Sequence, residues 1–140
     1  MRKNGRIFFL GLLVLFVGLA GSAFADKPVS LNGTWTGNDI TIVTAGNPGT
    51  VSTNNSFSIS FTASSTDADL LYGPFTLTSG GTQTDFSAVR DGKHVSIVAE
   101  GFIIHARIET VVLNKTPTTI IHISGKDLTN GRQFKGNLTE

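Results

Sequence analysis

The sequence predicts an all-β domain: an antiparallel up-and-down meander of about 8–9 strands, closed into a small barrel. Three observations predict it. Ser56-Phe-Ser-Ile-Ser-Phe-Thr-Ala63 alternates polar and apolar residues without a break, the period of a half-buried strand. Turn signals recur at intervals of roughly 8–12 residues, the spacing of an all-β fold. No stretch past residue 25 repeats its apolar residues at helical spacing.

The chain has 140 residues, a formal net charge of +1 and no cysteine. Its first element is an expected secretory signal peptide over residues 1–25. Met1-Arg-Lys-Asn-Gly-Arg6 is a positive n-region, Ile7 to Gly21 is an uncharged apolar run, and Ala23-Phe24-Ala25 is a small-x-small cleavage site. Cleavage between Ala25 and Asp26 implies a periplasmic or secreted product with no stable membrane span left. Residues 26–140 then form the β-barrel domain. They carry 8 Lys and Arg against 10 Asp and Glu, a net charge of −2, together with 29 Ser and Thr. Nothing in that balance suits nucleic acid. The missing cysteines exclude a disulfide framework, a thiolate metal site and a cysteine nucleophile.

Nine strands are expected in order, at 31–37, 40–45, 50–66, 70–79, 82–90, 93–99, 102–113, 118–129 and 132–139, with a break in the third at Asn54-Asn55. Turns separate them at Asn38-Asp39, Gly46-Asn-Pro-Gly49, Asp67-Ala-Asp69, Gly80-Gly81, Asp91-Gly92, Glu100-Gly101, Asn114-Lys-Thr-Pro117 and Asn130-Gly131. Turn length fixes which residues face each other. Asn38-Asp39 sets Trp35 against Ile42. The loop at 67–69 sets Phe61 against Phe75 and Ile59 against Leu77, and Gly80-Gly81 sets Phe75 against Phe86. Asp91-Gly92 sets Phe86 against Ile97 and Ala88 against Val95, while Glu100-Gly101 sets Ile97 against Ile104 and Val95 against Ala106. A four-residue loop at 114–117 sets Ile108 against Ile123, and Asn130-Gly131 sets Ile123 against Leu138 and Gly125 against Gly136. One face stays apolar throughout.

A flat sheet of this size would expose that face and two edges, and closure removes both problems. A two-sheet β-sandwich uses the same alternation and is the alternative. The expected lining includes the candidate ligand-binding residues Trp35, Phe57, Phe61, Phe75, Phe86 and Phe102.

Leu31-Asn-Gly33-Thr-Trp35-Thr-Gly37, followed by Ile40-Thr-Ile-Val-Thr-Ala-Gly46, resembles the opening of calycin-type barrels, the group of the lipocalins, fatty-acid-binding proteins and avidins. The resemblance implies a closed barrel in which Trp35 packs at one end. No tryptophan follows Trp35, so it does not extend to the avidin biotin site.

The polar face gathers His94, His105, Arg107, Glu109 and His122 on three consecutive strands, with Glu109 facing His122. His94 and His122 flank a third strand and stand about 10 Å apart, too far to share one metal ion whose ligands lie ~2 Å from it. The composition of this face is that of a solvated outer wall. No metal, cofactor or catalytic residue is assigned: there is no Gly-x-Ser-x-Gly elbow, and Asp67-Ala-Asp69 reads as a polar hairpin tip. Two function classes follow. The first is an exported binding module for a small apolar ligand. The second is a protein-interaction role, such as a protease inhibitor or an accessory subunit of an exported complex, with an exported protein as partner.

Overall fold

A computed structural model describes residues 29–78 and 81–140; the expected signal peptide lies outside the described residues. Eight strands follow one another: β1 (Gly33–Thr44), β2 (Thr50–Ala63), β3 (Leu70–Leu77), β4 (Gln83–Asp91), β5 (His94–Ala99), β6 (Phe102–Leu113), β7 (Thr116–Asp127) and β8 (Arg132–Leu138). Each pairs antiparallel with the next and β8 returns to β1, so the sheet is a closed barrel. Closure, rather than a two-sheet sandwich, gives every strand a paired neighbour on both sides.

The first two expected strands are one. Both halves of β1 pair with β2, Trp35 opposite Ile59 and Ile42 opposite Ser52, so Asn38-Asp39 is not a hairpin and Trp35 does not face Ile42. It is a bulge. Six steps along β1 from Thr36 to Ile42 match five along β8 from Thr139 to Phe134. The extra residue switches the inward side from odd to even numbers, so Trp35 is followed inward by Ile40 and Ile42. Asn55 stabilises the bulge by donating from Nδ2 to the Ile40 carbonyl at 3.0 Å, next to Asn54 at φ 61°. Ile40 is completely buried beside β8, and Gly136 makes the room: a Cβ there would lie 2.3 Å from Ile40 Cδ1.

The other registers follow one rule. Only the Glu100-Gly101 hairpin pairs as expected, with Ile97 opposite Ile104 and Val95 opposite Ala106. Elsewhere the partner is displaced by two residues. Ala88, not Phe86, faces Ile97, because the loop is Gly92-Lys93. Ile108 faces Ile121, because Asn114 and Lys115 alone make the turn, both at positive φ. Ile123 faces Gly136 and Gly125 faces Phe134, because Asp127 pairs with Arg132 and lengthens the loop to 128–131. Ile59 faces Phe75, and Phe75 faces Thr84. A displacement of two restores the same face, so the inside stays apolar while the partners change.

β3 contains Pro74, which has no N–H for the ladder. The β2–β3 pairing skips there, passing from Ile59–Phe75 to Thr62–Tyr72. Gly73, at φ +151°, brings the Ser60 carbonyl so close that a Cβ would sit 1.9 Å from it.

The interior is filled by the apolar face. Trp35, Phe57, Phe75, Ile59, Ile97, Ile104 and Leu138 are among the side chains buried almost completely. An eight-stranded barrel is just wide enough to be filled this way. Trp35 lies near the start of β1 and donates from Nε1 to the Leu31 carbonyl at 2.9 Å, so its one polar atom is satisfied inside the core.

Candidate functional site

Up-and-down strands send their loops alternately to two ends. The β1–β2, β3–β4, β5–β6 and β7–β8 loops share the end opposite the start of β1. At this end lies a cavity of about 270 Å³, lined among others by Phe75, Thr84, Phe102, Asp127, Asn130 and Arg132.

Phe75 and Phe102 form its floor and belong to a larger aromatic cluster. Phe57, Phe75, Phe102 and Phe134 touch in a closed circuit, with centroid distances of 5.7 Å (Phe57–Phe75), 5.0 Å (Phe75–Phe102), 6.5 Å (Phe102–Phe134) and 5.8 Å (Phe57–Phe134). Gly125, opposite Phe134, leaves space for that ring.

Its rim is polar and ordered by Asp127. The carboxylate is 1% exposed, yet fully partnered. Oδ1 accepts from the Thr129 and Asn130 backbone N–H groups at 3.1 and 3.2 Å. Oδ2 accepts from Asn130 Nδ2 at 2.9 Å and from Arg132 Nε and Nη2 at 3.1 and 2.7 Å. Burial pushes the Asp127 pKa up; the hydrogen bonds from Asn130 and Arg132, with the Arg132 charge, outweigh it and hold it below the usual carboxylate value. Sequence reasoning missed Asp127 and Arg132. The signal was Asp127-Leu-Thr-Asn-Gly-Arg132, in which an Asp bonds the N–H groups two and three residues on and so starts a turn.

The expected lining residues divide. Phe75 and Phe102 border the cavity. Trp35, Phe57, Phe61 and Phe86 do not; they are buried at 5% exposure or less, and Phe61 and Phe86 pack edge to face at 5.4 Å. They fill the barrel.

The expected polar face is present on the outer wall, with a different order of partners. The row runs Asp91, His94, Arg107, His122, Asn137 across β4 to β8, and the next runs Val89, Ser96, His105, Ser124, Lys135. Glu109 faces Ile120 in register, not His122, but its side chain reaches His122 diagonally: Oε2 is 2.5 Å from Nε2. His122 Nδ1 is 2.6 Å from Asn137 Oδ1, and Arg107 Nη2 is 3.8 Å from Glu109 Oε2. Thus Arg107, Glu109, His122 and Asn137 form one surface network. His94 and His105 form another, with Nδ1 and Nε2 3.3 Å apart. Among the described residues, no three His, Cys, Asp or Glu side chains converge as metal ligands.

No protein-family model matches the chain, and no curated protein and no solved structure is similar enough to it to count as a match.

Proposed function

We propose that the chain is an exported small β-barrel binding module of calycin-like design, which takes a small ligand with an apolar body at the mouth formed by the β3–β4, β5–β6 and β7–β8 loops. The supporting observation is the cavity of about 270 Å³ whose floor includes Phe75 and Phe102 and whose rim carries Asp127 and Arg132. Apolar surface in a concavity beside a few fixed polar groups is the ordinary make-up of a ligand site. A ligand's apolar body rests on the two rings. A polar end meets Thr84, Asn130 or the outward side of Arg132. The rest of the interior is occupied by the protein's own side chains, so the ligand is small.

Native mass spectrometry of the protein purified after export tests this. A retained small molecule is expected, and it is lost in Thr84→Trp, which fills the cavity. A protein that carries no adduct and binds none of a panel of small apolar compounds overturns the reading.

One observation favours the protein-interaction reading instead. β6 and β7 outrun their neighbours: β5 pairs β6 only up to Arg107, and β8 pairs β7 only from Ile121. The two-stranded tip that projects carries Val112 and Leu113, 70% and 51% exposed. A partner protein gripping this tip would be lost on Val112→Asp with Leu113→Asp, while Thr84→Trp would leave it bound.

A further inference from the structure

We propose that His94 and His105 form a two-histidine chelate for a divalent transition-metal ion on the outer wall of β5 and β6. The two residues are diagonal neighbours on adjacent strands: His94 stands opposite Arg107, and His105 opposite Ser96. The pleat points both side chains outward on the same face. Their rings lie 5.3 Å apart at 27°, and His94 Nδ1 is 3.3 Å from His105 Nε2. That separation is the informative quantity. Two nitrogens each about 2.0–2.1 Å from a tetrahedral zinc ion stand about 3.3–3.4 Å apart. The backbone has therefore already brought the two donors to the edge length of the coordination polyhedron. The remaining adjustment is a turn of the imidazoles about χ2, a soft torsion.

The surroundings suit a surface site completed by water. Both histidines are exposed. Asp91 stands opposite His94 on β4 and adds a negative charge, while Arg107 on the other side has Glu109 3.8 Å from its guanidinium. His122 takes no part. It lies on β7, two strands from His94, and its nitrogens face Glu109 and Asn137. This differs from a site shared by all three histidines, which the strand spacing excludes. The donor set is imidazole and water, so Zn²⁺, Ni²⁺ and Cu²⁺ are the fitting ions and Mg²⁺ and Ca²⁺ are not.

Isothermal titration of the untagged, exported protein with ZnCl₂ and NiCl₂ tests the site. One equivalent of either ion is expected to bind. His94→Ala and His105→Ala should each weaken it at least tenfold, and His122→Ala should change it less than twofold. MgCl₂ should give no binding heat. In an NMR titration the imidazole signals of His94 and His105 move together, and that of His122 stays. The absence of saturable binding by the unmodified protein overturns the proposal. So does an affinity unchanged by His94→Ala or His105→Ala, or lost with His122→Ala.

Discussion

Arg132 donates two hydrogen bonds to one oxygen of Asp127, from Nε at 3.1 Å and from Nη2 at 2.7 Å, and so neutralises a buried carboxylate at the mouth of the barrel. The pair closes the β7–β8 hairpin, because Asp127 and Arg132 are also the last residues of the two strands to face each other.

Removing either partner should therefore cost more than a surface ion pair does. Arg132→Ala leaves the Asp127 charge buried with only Asn130 and the backbone to solvate it. We expect a loss of about 2–3 kcal/mol in urea unfolding. Asp127→Ala should cost a similar ~2–3 kcal/mol by releasing the 128–131 loop. A loss within experimental error for both would show that the loop is held by other means.

The same carboxylate sets a pH dependence. Its folded pKa is depressed, so its stabilisation is complete above the unfolded value, about 3.9, and disappears as pH falls through the folded value. The gap in Tm between the unmodified protein and Asp127→Asn should be steady from about pH 5 to 8 and narrow below about pH 4. A gap that widens on acidification would contradict the assignment.

The outer-wall network should behave differently. Glu109 and His122 are 41% and 31% exposed despite their 2.5 Å contact. Glu109→Gln should cost less than about 1 kcal/mol at pH 7. It should also leave unchanged the retention of the ligand proposed for the mouth, as should His122→Ala. A large effect on retention would move the functional site to this face.

Inside the barrel, Phe57 is 1% exposed and stacks on both Phe75 and Phe134. Phe57→Ala should lose about 3–5 kcal/mol by the cavity it leaves. Val112→Ala, at a 70% exposed position, should stay within about 0.5 kcal/mol. Thermal or urea unfolding of the two variants side by side checks the contrast.

Gly73 should tolerate no side chain. Its φ of +151° is unfavourable to any L-residue, and a Cβ would meet the Ser60 carbonyl at 1.9 Å, where only backbone movement could relieve it. Gly73→Ala should cost at least ~2–3 kcal/mol or abolish the fold, read by the loss of the cooperative transition. Gly92→Ala, where nothing lies within 4 Å, should cost only about 1 kcal/mol for its φ of +61°.

The alternation of Phe57, Ile59 and Phe61, and of Val95 and Ile97, was enough to settle strand type and the inward face, because side-chain direction in a strand depends only on parity; it did not settle closure, since a two-sheet sandwich uses the same alternation. The outward position of His94, His105, Arg107, Glu109 and His122 followed from the same parity. Register did not follow, since a displacement of two residues keeps every face and costs the pattern nothing. The β4–β5 turn is Gly92-Lys93 rather than Asp91-Gly92, with Asp91 opposite His94. The 3.3 Å approach of His94 to His105 lies within the one hairpin whose register the sequence predicts. Two other features depended on contacts between residues far apart in the chain: Ile40 entered the β1–β8 seam against Gly136, and four phenyl rings closed into one circuit. The barrel brings these groups together by closing β8 onto β1 and by tilting its strands, and no local pattern of polar and apolar residues encodes either operation.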